Sequence, residues 1–398
     1  MNRPSLLHII ERLEGFLGKL PASIQKPVLQ ELTPLKELFL QQRAPRFVLT
    51  GSNQLTVHEV VSALFGWSAP RESRDILMEL FRWQSIDLGG HGSINLLDAR
   101  GAEARNIPDI GDELVREPAD VFIHLGSDTE RTPSDDISNL ELFLASNGAA
   151  RTEAGIIGVI LHDAAHSARV VHNGEAHPLE KVDPRSKLQR ALQEKLEIRK
   201  RLLQVCELSF TPDGPTGSET STERQRFMGL AARAVPNEAR VEMVRISRDK
   251  EAQVEISQML VKSTTAICAA VGAQPIPLAD LPILAALQLA MVSGIMYISG
   301  RERSLRAATE FLGALGINVG AGMLLREGTR ALLKFFPGWG NVVCGMVAGA
   351  GTYAIGRATI VYFLEGVTLK EARRTYLTSR KKRAQRQPAR IKEVETAP

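Results

Sequence analysis

RFVLTGSNQLTVHEVVSALFG, residues 46–66, is the stretch on which the fold reading turns. Phe47, Val48 and Leu49 form a short apolar run, as a buried strand requires. Gly51 opens a polar loop, Ser52, Asn53, Gln54, Leu55 and Thr56. Val57, Val60, Val61 and Leu64 then recur at helical spacing. The order is strand, loop, helix.

Downstream, strands alternate with helices, the pattern of a three-layer α/β domain. Strand candidates are 46–50, 76–86, 93–98, 120–125, 155–161 and 204–209. Helical patterns fit 57–66, 134–147 and 185–203, with a last helix at 223–235. The stretch 211–223, rich in Pro, Gly, Ser and Thr, reads as a loop. Upstream, Leu6, Leu7, Ile10, Leu13 and Leu17 precede Pro21, and Leu29, Leu32, Leu35, Leu38 and Phe39 follow it. Residues 1–42 thus read as a helical hairpin, either a packing element or a partner-binding arm.

From about residue 237 the character changes. Residues 238–272 read as one long helix, polar and then apolar. Residues 276–299 and 311–325 are apolar, and 338–366 are apolar and glycine-rich. The domain reading is a hairpin at 1–42, an α/β domain at 43–236, an all-α Gly/Ala-rich domain at 237–368 and a basic tail at 369–398.

Composition narrows the classes. The chain has 398 residues, 44% hydrophobic, with net charge +4 and a pI near 9.0. Only 5% of residues are aromatic, which disfavours a stacking platform for single-stranded nucleic acid. Cys206, Cys268 and Cys344 are isolated and odd in number, which points to a reducing compartment without a disulfide framework. Glu11 and Glu14 interrupt the first apolar stretch, unlike a signal peptide.

The 46–66 layout resembles a P-loop, whose pattern is Gly-x-x-x-x-Gly-Lys-Ser/Thr. Counting from Gly51, its last three places hold Thr56, Val57 and His58. RESRDILMELFRW resembles the switch region of Era- and TrmE-type GTPases, with Ser73, Arg74 and Asp75 in place. SINLLDARG resembles the next strand and its Asp-x-x-Gly turn: Asp98 and Gly101 are kept, and Ala99-Arg100 replaces the usual Thr-Pro. GIIGVILHDAAH falls where Asn-Lys-x-Asp should read guanine. One register puts Leu161, His162 and Ala164 on the Asn, Lys and Asp places, and a shift of one puts Asp163 on the last. QVCELSF resembles the final strand, with Leu208-Ser209 as a partial Ser-Ala. The ordered series resembles a degenerate GTPase domain over about residues 46–235. A generic α/β domain is the plainer alternative.

The resemblance implies a vestigial nucleotide site at Gly51, Ser52, Asn53, Gln54, Leu55, Thr56, Val57, His58, Ser73, Asp98, Gly101 and Asp163. It implies no catalytic residue and no metal ligand. Val57 offers no charge to the β- and γ-phosphates, and His58 is poorly suited to hard Mg²⁺. Phosphoryl transfer depends on positioning and charge stabilisation, so GTP with Mg²⁺ is not expected to bind well or to turn over.

The segments AAVGAQPIPLADLPILAALQLAMVSGIMYISGRE and FFPGWGNVVCGMVAGAGTYAIGRATIVYFLEG resemble a bacterial domain of unknown function typified by the YcjF inner-membrane proteins, over roughly 250–368. The pairing with an Era-like domain implies a pseudo-GTPase regulator or scaffold. Its partner would be a protein, with an active GTPase homologue the first candidate; a membrane surface and a homo-oligomer are the others. The implied place is the cytoplasm, peripheral to or integral in the inner membrane. Residues 339–356 have spanning length, and Gly316/Gly320 and Gly345/Gly349 are four apart, as in close helix packing in bilayers. Asp280, Gln288 and Asn341 would be costly in lipid. A divergent, weakly active GTPase is the enzyme alternative.

His162 and His166 have the i, i+4 spacing of a helical metal pair, with His172 and His177 beyond; solvated loop histidines are the plainer reading. The Arg/Lys-rich tail reads as solvated, or as a binder of lipid head groups or nucleic acid.

Overall fold

The structure, a computed structural model, describes residues 42–66, 81–126, 134–149, 153–163, 183–210, 218–273, 280–316 and 340–380. The 1–42 hairpin (Gln42 apart), Ser73, His166, His172, His177 and the end of the basic tail lie outside them. The chain divides into two compact units, with the boundary between Asp249 and Lys250.

The first unit is built on a six-stranded sheet ordered β2-β3-β1-β4-β5-β6. Its strands are β1 (Arg46–Gly51), β2 (Trp83–Asp87), β3 (Ser93–Asp98), β4 (Val121–Gly126), β5 (Gly155–Asp163) and β6 (Leu202–Phe210). All neighbours pair parallel except β2, which runs antiparallel to β3 at one edge. The α/β class expected from the alternating pattern is therefore present. The helices are α1 (Val57–Phe65), α2 (Ile107–Arg116), α3 (Ser134–Ala149), α4 (Pro184–Glu194), α5 (Leu196–Arg201), α6 (Ser218–Ala234) and α7 (Asn237–Ser247).

Strand alternation sorts β1 between two cores. Val48 joins Leu97, Phe122, Ile156 and Ile160 beneath Ile110, Leu140 and Phe143 of α2 and α3. Phe47 faces the other way, its ring 5.4 Å from that of Phe65, which lies 6.1 Å from that of Phe227 of α6. Neither face reaches water, so the central strands β1 and β4 are mostly apolar, as two-sided burial demands, with Thr50 and His124 as buried polar exceptions.

Several elements differ from the sequence reading. Residues 185–203 are not one helix: α4 ends at Glu194, Lys195 is extended, and α5 runs straight into β6. The reason is tertiary, since Leu202–Phe210 find parallel partners on β5. Residues 218–223, read as loop, form the first turns of α6. Helix α2 was missed, although Pro108 in its first turn, and Ile107, Ile110 and Leu114 at helical spacing, mark it. The long helix at 238–272 is two helices. Arg248 adopts a left-handed φ of 53° and ends α7. α7 belongs to the first unit: Ala239, Val241, Met243 and Val244 are buried, and Glu242 accepts from the Ser93 N–H at 3.2 Å.

The second unit is helical: α8 (Lys250–Gly272), α9 (Asp280–Ile298), α10 (Leu305–Ala314), α11 (Gly340–Phe363) and α12 (369–380). α12 opens what was read as tail. α8 and α11 cross closely. A Cβ on Gly345 would lie 2.5 Å from the Ala269 carbonyl oxygen, and one on Gly356 would lie 2.4 Å from Val261. The Gly345/Gly349 spacing therefore serves a helix crossing inside this unit. Gln288 of α9 is satisfied there by donating to Thr352 Oγ1 at 3.0 Å. Among the described residues, no helix is long and apolar enough to cross a membrane.

Candidate functional site: the 51–56 loop and its clamp

The loop leaves the carboxyl end of β1, flanked by β3 and β4. Strand order changes direction here, and open α/β sheets bind ligands at such switch points. Gly51 has a φ of +86°, and a Cβ on it would stand 2.2 Å from the Leu125 carbonyl oxygen. That oxygen accepts the Ser52 N–H at 2.8 Å. The loop is thus pressed onto β4, which only glycine allows at its root.

The structure brings the 51–58 segment together with Asp98 and Gly101. Gly101 also has a left-handed φ, +64°, and a Cβ on it would lie 2.9 Å from Asn53 Nδ2. Gln54 N–H points at Ser52 Oγ at 3.5 Å, a weak contact. Gln54 and Asn53 are exposed, and Val57 and His58 are half-buried.

Two charged side chains hold the loop. Thr56 is the N-cap of α1 and forms a capping box with Glu59. The Glu59 carboxylate accepts the Thr56 N–H and O–H, each at 2.8 Å, and Thr56 Oγ1 accepts the Glu59 N–H at 3.3 Å. A helix N-terminus attracts anions; here its own carboxylate already sits on it. The second group is Arg100. Its Nε and Nη2 donate to the two Asp98 oxygens at 2.8 and 2.9 Å, and Nη1 donates to the Leu55 carbonyl at 2.8 Å. The Arg100 side chain is only 4% exposed and that of Asp98 13%. A planar guanidinium makes such a fork and a lysine does not. Asp98 is consequently tied to the loop through Arg100.

His124 of β4 lies beneath the loop. It is fully buried, Nδ1 is 3.0 Å from Thr50 Oγ1, and Nε2 has no hydrogen-bond partner among the described residues. Burial pulls its pKa down to about 4, so the ring is neutral at pH 7. Sequence reading passed over His124 and noted Arg100 only as a departure from Thr-Pro, without a role. The available signals were a histidine at the same strand parity as the buried Phe122, and an arginine two residues after Asp98.

Asp163 stands apart from the loop. β1, β4 and β5 are level at Gly51, Leu125 and Val159, so Asp163 is four residues, roughly 13 Å of strand, further on. Residues 161–163 pair with Leu208, Ser209 and Phe210. Both registers proposed for a guanine-reading loop therefore begin on strand. His162 is likewise a strand residue, and the helical i, i+4 geometry with His166 does not exist at its end.

Among the described residues, no group of three or more His, Cys, Asp or Glu is arranged to hold a metal ion. No protein-family model matches the chain. Over 118 residues it is 28% identical to magnetosome membrane protein 22 of Magnetospirillum gryphiswaldense. The match takes in 28% of this chain and 59% of that protein, so the chain spans less than two thirds of the length of the curated relative it matches.

Proposed function

We propose that the first unit is a GTPase-like domain that has exchanged nucleotide chemistry for a fixed, protein-binding surface. The five motif-like segments occur in order, and the loop, Asp98 and Gly101 meet at the carboxyl ends of the interior strands β1 and β3. The observation that carries the reading is the Arg100 fork on Asp98 and Leu55. A GTPase positions this turn through the γ-phosphate and Mg²⁺; here an internal cation holds it permanently. With Glu59 on the helix terminus and no lysine at Val57, an incoming triphosphate meets repulsion and no counter-charge. The partner is a protein, first of all an active GTPase homologue, and second another copy of this chain. Calorimetric titration of the full chain with GTP and Mg²⁺ tests the reading. The expected result is no saturable binding tighter than about 1 mM, some −4 kcal/mol. Saturable micromolar binding would establish the rival reading, a divergent GTP-binding enzyme.

A second reading is favoured by the similarity to a protein whose name places it in the magnetosome membrane. In that reading the helical unit works at the cytoplasmic face of a membrane. Co-sedimentation with vesicles tests it, and absence of binding to any bilayer ends it.

A further inference from the structure

We infer that the exposed face of α12 is a docking surface for an anionic bilayer. The inference deepens the membrane reading above and is independent of the nucleotide site. α12 is anchored to the helical unit on one side, where Ala372 is fully buried and Tyr376 packs against the core. Its N-terminus is fixed by a capping box: Thr368 N–H and O–H donate to Glu371 Oε2, each at 3.0 Å, and Glu371 N–H donates to Thr368 Oγ1. Leu369 and Leu377 are 37% and 49% exposed; Leu369 stands at the margin of the anchored side, about 20° from Tyr376, and Leu377 about 80° further round on the open side. Lys370, Arg373 and Arg374 are exposed; Lys370 and Arg374 stand beside Leu377, while the Arg373 guanidinium reaches back toward Gly316, on which a Cβ would lie 3.3 Å from its Nη2. At 3.6 residues per turn these five fall within an arc of about 140°.

Charge says what covers this face. Between Leu369 and Arg386 the chain carries eight Lys or Arg and one acid, Glu371. That acid is turned back into the cap and offers no counter-charge to the face. No ion pair joins Lys370, Arg373 or Arg374 to a carboxylate among the described residues. Exposed leucines interleaved with cations on a helix lying along the surface suit the headgroup layer of an anionic membrane, where apolar side chains enter the acyl boundary and cations meet lipid phosphates. A polyanion such as RNA would use the cations but leave the leucines without a role, and the face has no aromatic residue for stacking a base.

The test is co-sedimentation of the full chain with phosphatidylcholine vesicles, with and without phosphatidylglycerol. The wild type is expected to bind only the anionic vesicles and to release them as salt rises. Lys370→Gln and Arg374→Gln should each weaken binding about fivefold. Leu369→Ser with Leu377→Ser should weaken it by more than tenfold. Both leucines are exposed, so unchanged circular dichroism and melting keep that comparison interpretable. If wild type binds and the leucine pair changes nothing, this surface is wrong while the membrane reading stands. If wild type binds neither vesicle, both fall. Binding to single-stranded RNA that is stronger than to vesicles and indifferent to the leucines also overturns the proposal.

Discussion

At the scale of the residue, two side chains decide the candidate site. Arg100 and Asp98 are both largely buried, so removing one leaves the other charge without its partner. Arg100→Ala should cost about 3 kcal/mol in urea denaturation, because an unpaired buried charge costs more than a lost surface pair. Replacing both, Arg100→Met with Asp98→Asn, should cost clearly less. If the two variants are equally unstable, the fork is not what holds the turn. His124 makes a pH prediction. Its folded pKa, about 4, lies below the 6.5 of an unperturbed histidine. Between these values the unfolded chain binds the proton and the folded chain does not. Stability is therefore fully present above pH 6.5, falls as pH drops through the window, and levels off below about 4. The total is on the order of 3 kcal/mol. Because carboxylates also titrate at the lower end, the decisive comparison is wild type against His124→Asn from pH 5 to 7. The variant should lose the slope.

At the scale of the element, glycine sets two close approaches. Gly51 lets the loop lie on β4, and Gly51→Ala should destabilise by at least about 2 kcal/mol, from a positive φ together with a backbone clash. In the helical unit Gly345 and Gly356 set the α8–α11 crossing. Gly356→Val drives a branched side chain into Val261 and should cost about 2–3 kcal/mol by overpacking. A melt with an unchanged midpoint would mean that the crossing gives way cheaply. The same helices bury Cys268, whose thiol burial pushes up to about 12, so it should resist alkylation in the folded chain. Under the proposed reading, Val57→Lys with His58→Ser should not confer GTP binding while Glu59 and Arg100 stay in place. A gain in calorimetry would show that Glu59 and Arg100 do not keep nucleotide out.

At the scale of the whole molecule, the place where the chain is divided matters. A chain ending at Asp249 keeps α7, with its buried Ala239, Val241, Met243 and Val244. One ending at Pro236 removes that apolar cover and the Glu242 contact to Ser93. The longer piece should unfold at clearly higher urea, by several kcal/mol for four buried side chains. Equal midpoints would show that α7 adds nothing to the first unit.

Much of this architecture was legible in local pattern. β1, β3 and β4 are apolar runs with few alternatives, and Gly51, Thr56 and Val57–Leu64 spell out loop, cap and helix. The periodicity of Val57, Val60, Val61 and Leu64 marked the inward face of the helix, of which Val60, Val61 and Leu64 are buried. What local pattern could not supply was contact between distant residues. Whether 202–210 continue a helix or become a strand depends on parallel partners some forty-five residues earlier, and helical propensity is too weak to resist them. The break at Arg248 depends on α7 having the first unit to pack on. The Arg100 fork joins groups forty-five residues apart, from Leu55 to Arg100, and a guanidinium read in sequence carries no sign of which carbonyl it meets. By itself the sequence determined the alternation of strands and helices, because that follows from local composition. Only the tertiary structure decided that Arg100 ties the Asp98 turn to the 51–56 loop, because that depends on where charged side chains come to rest after the strands are paired.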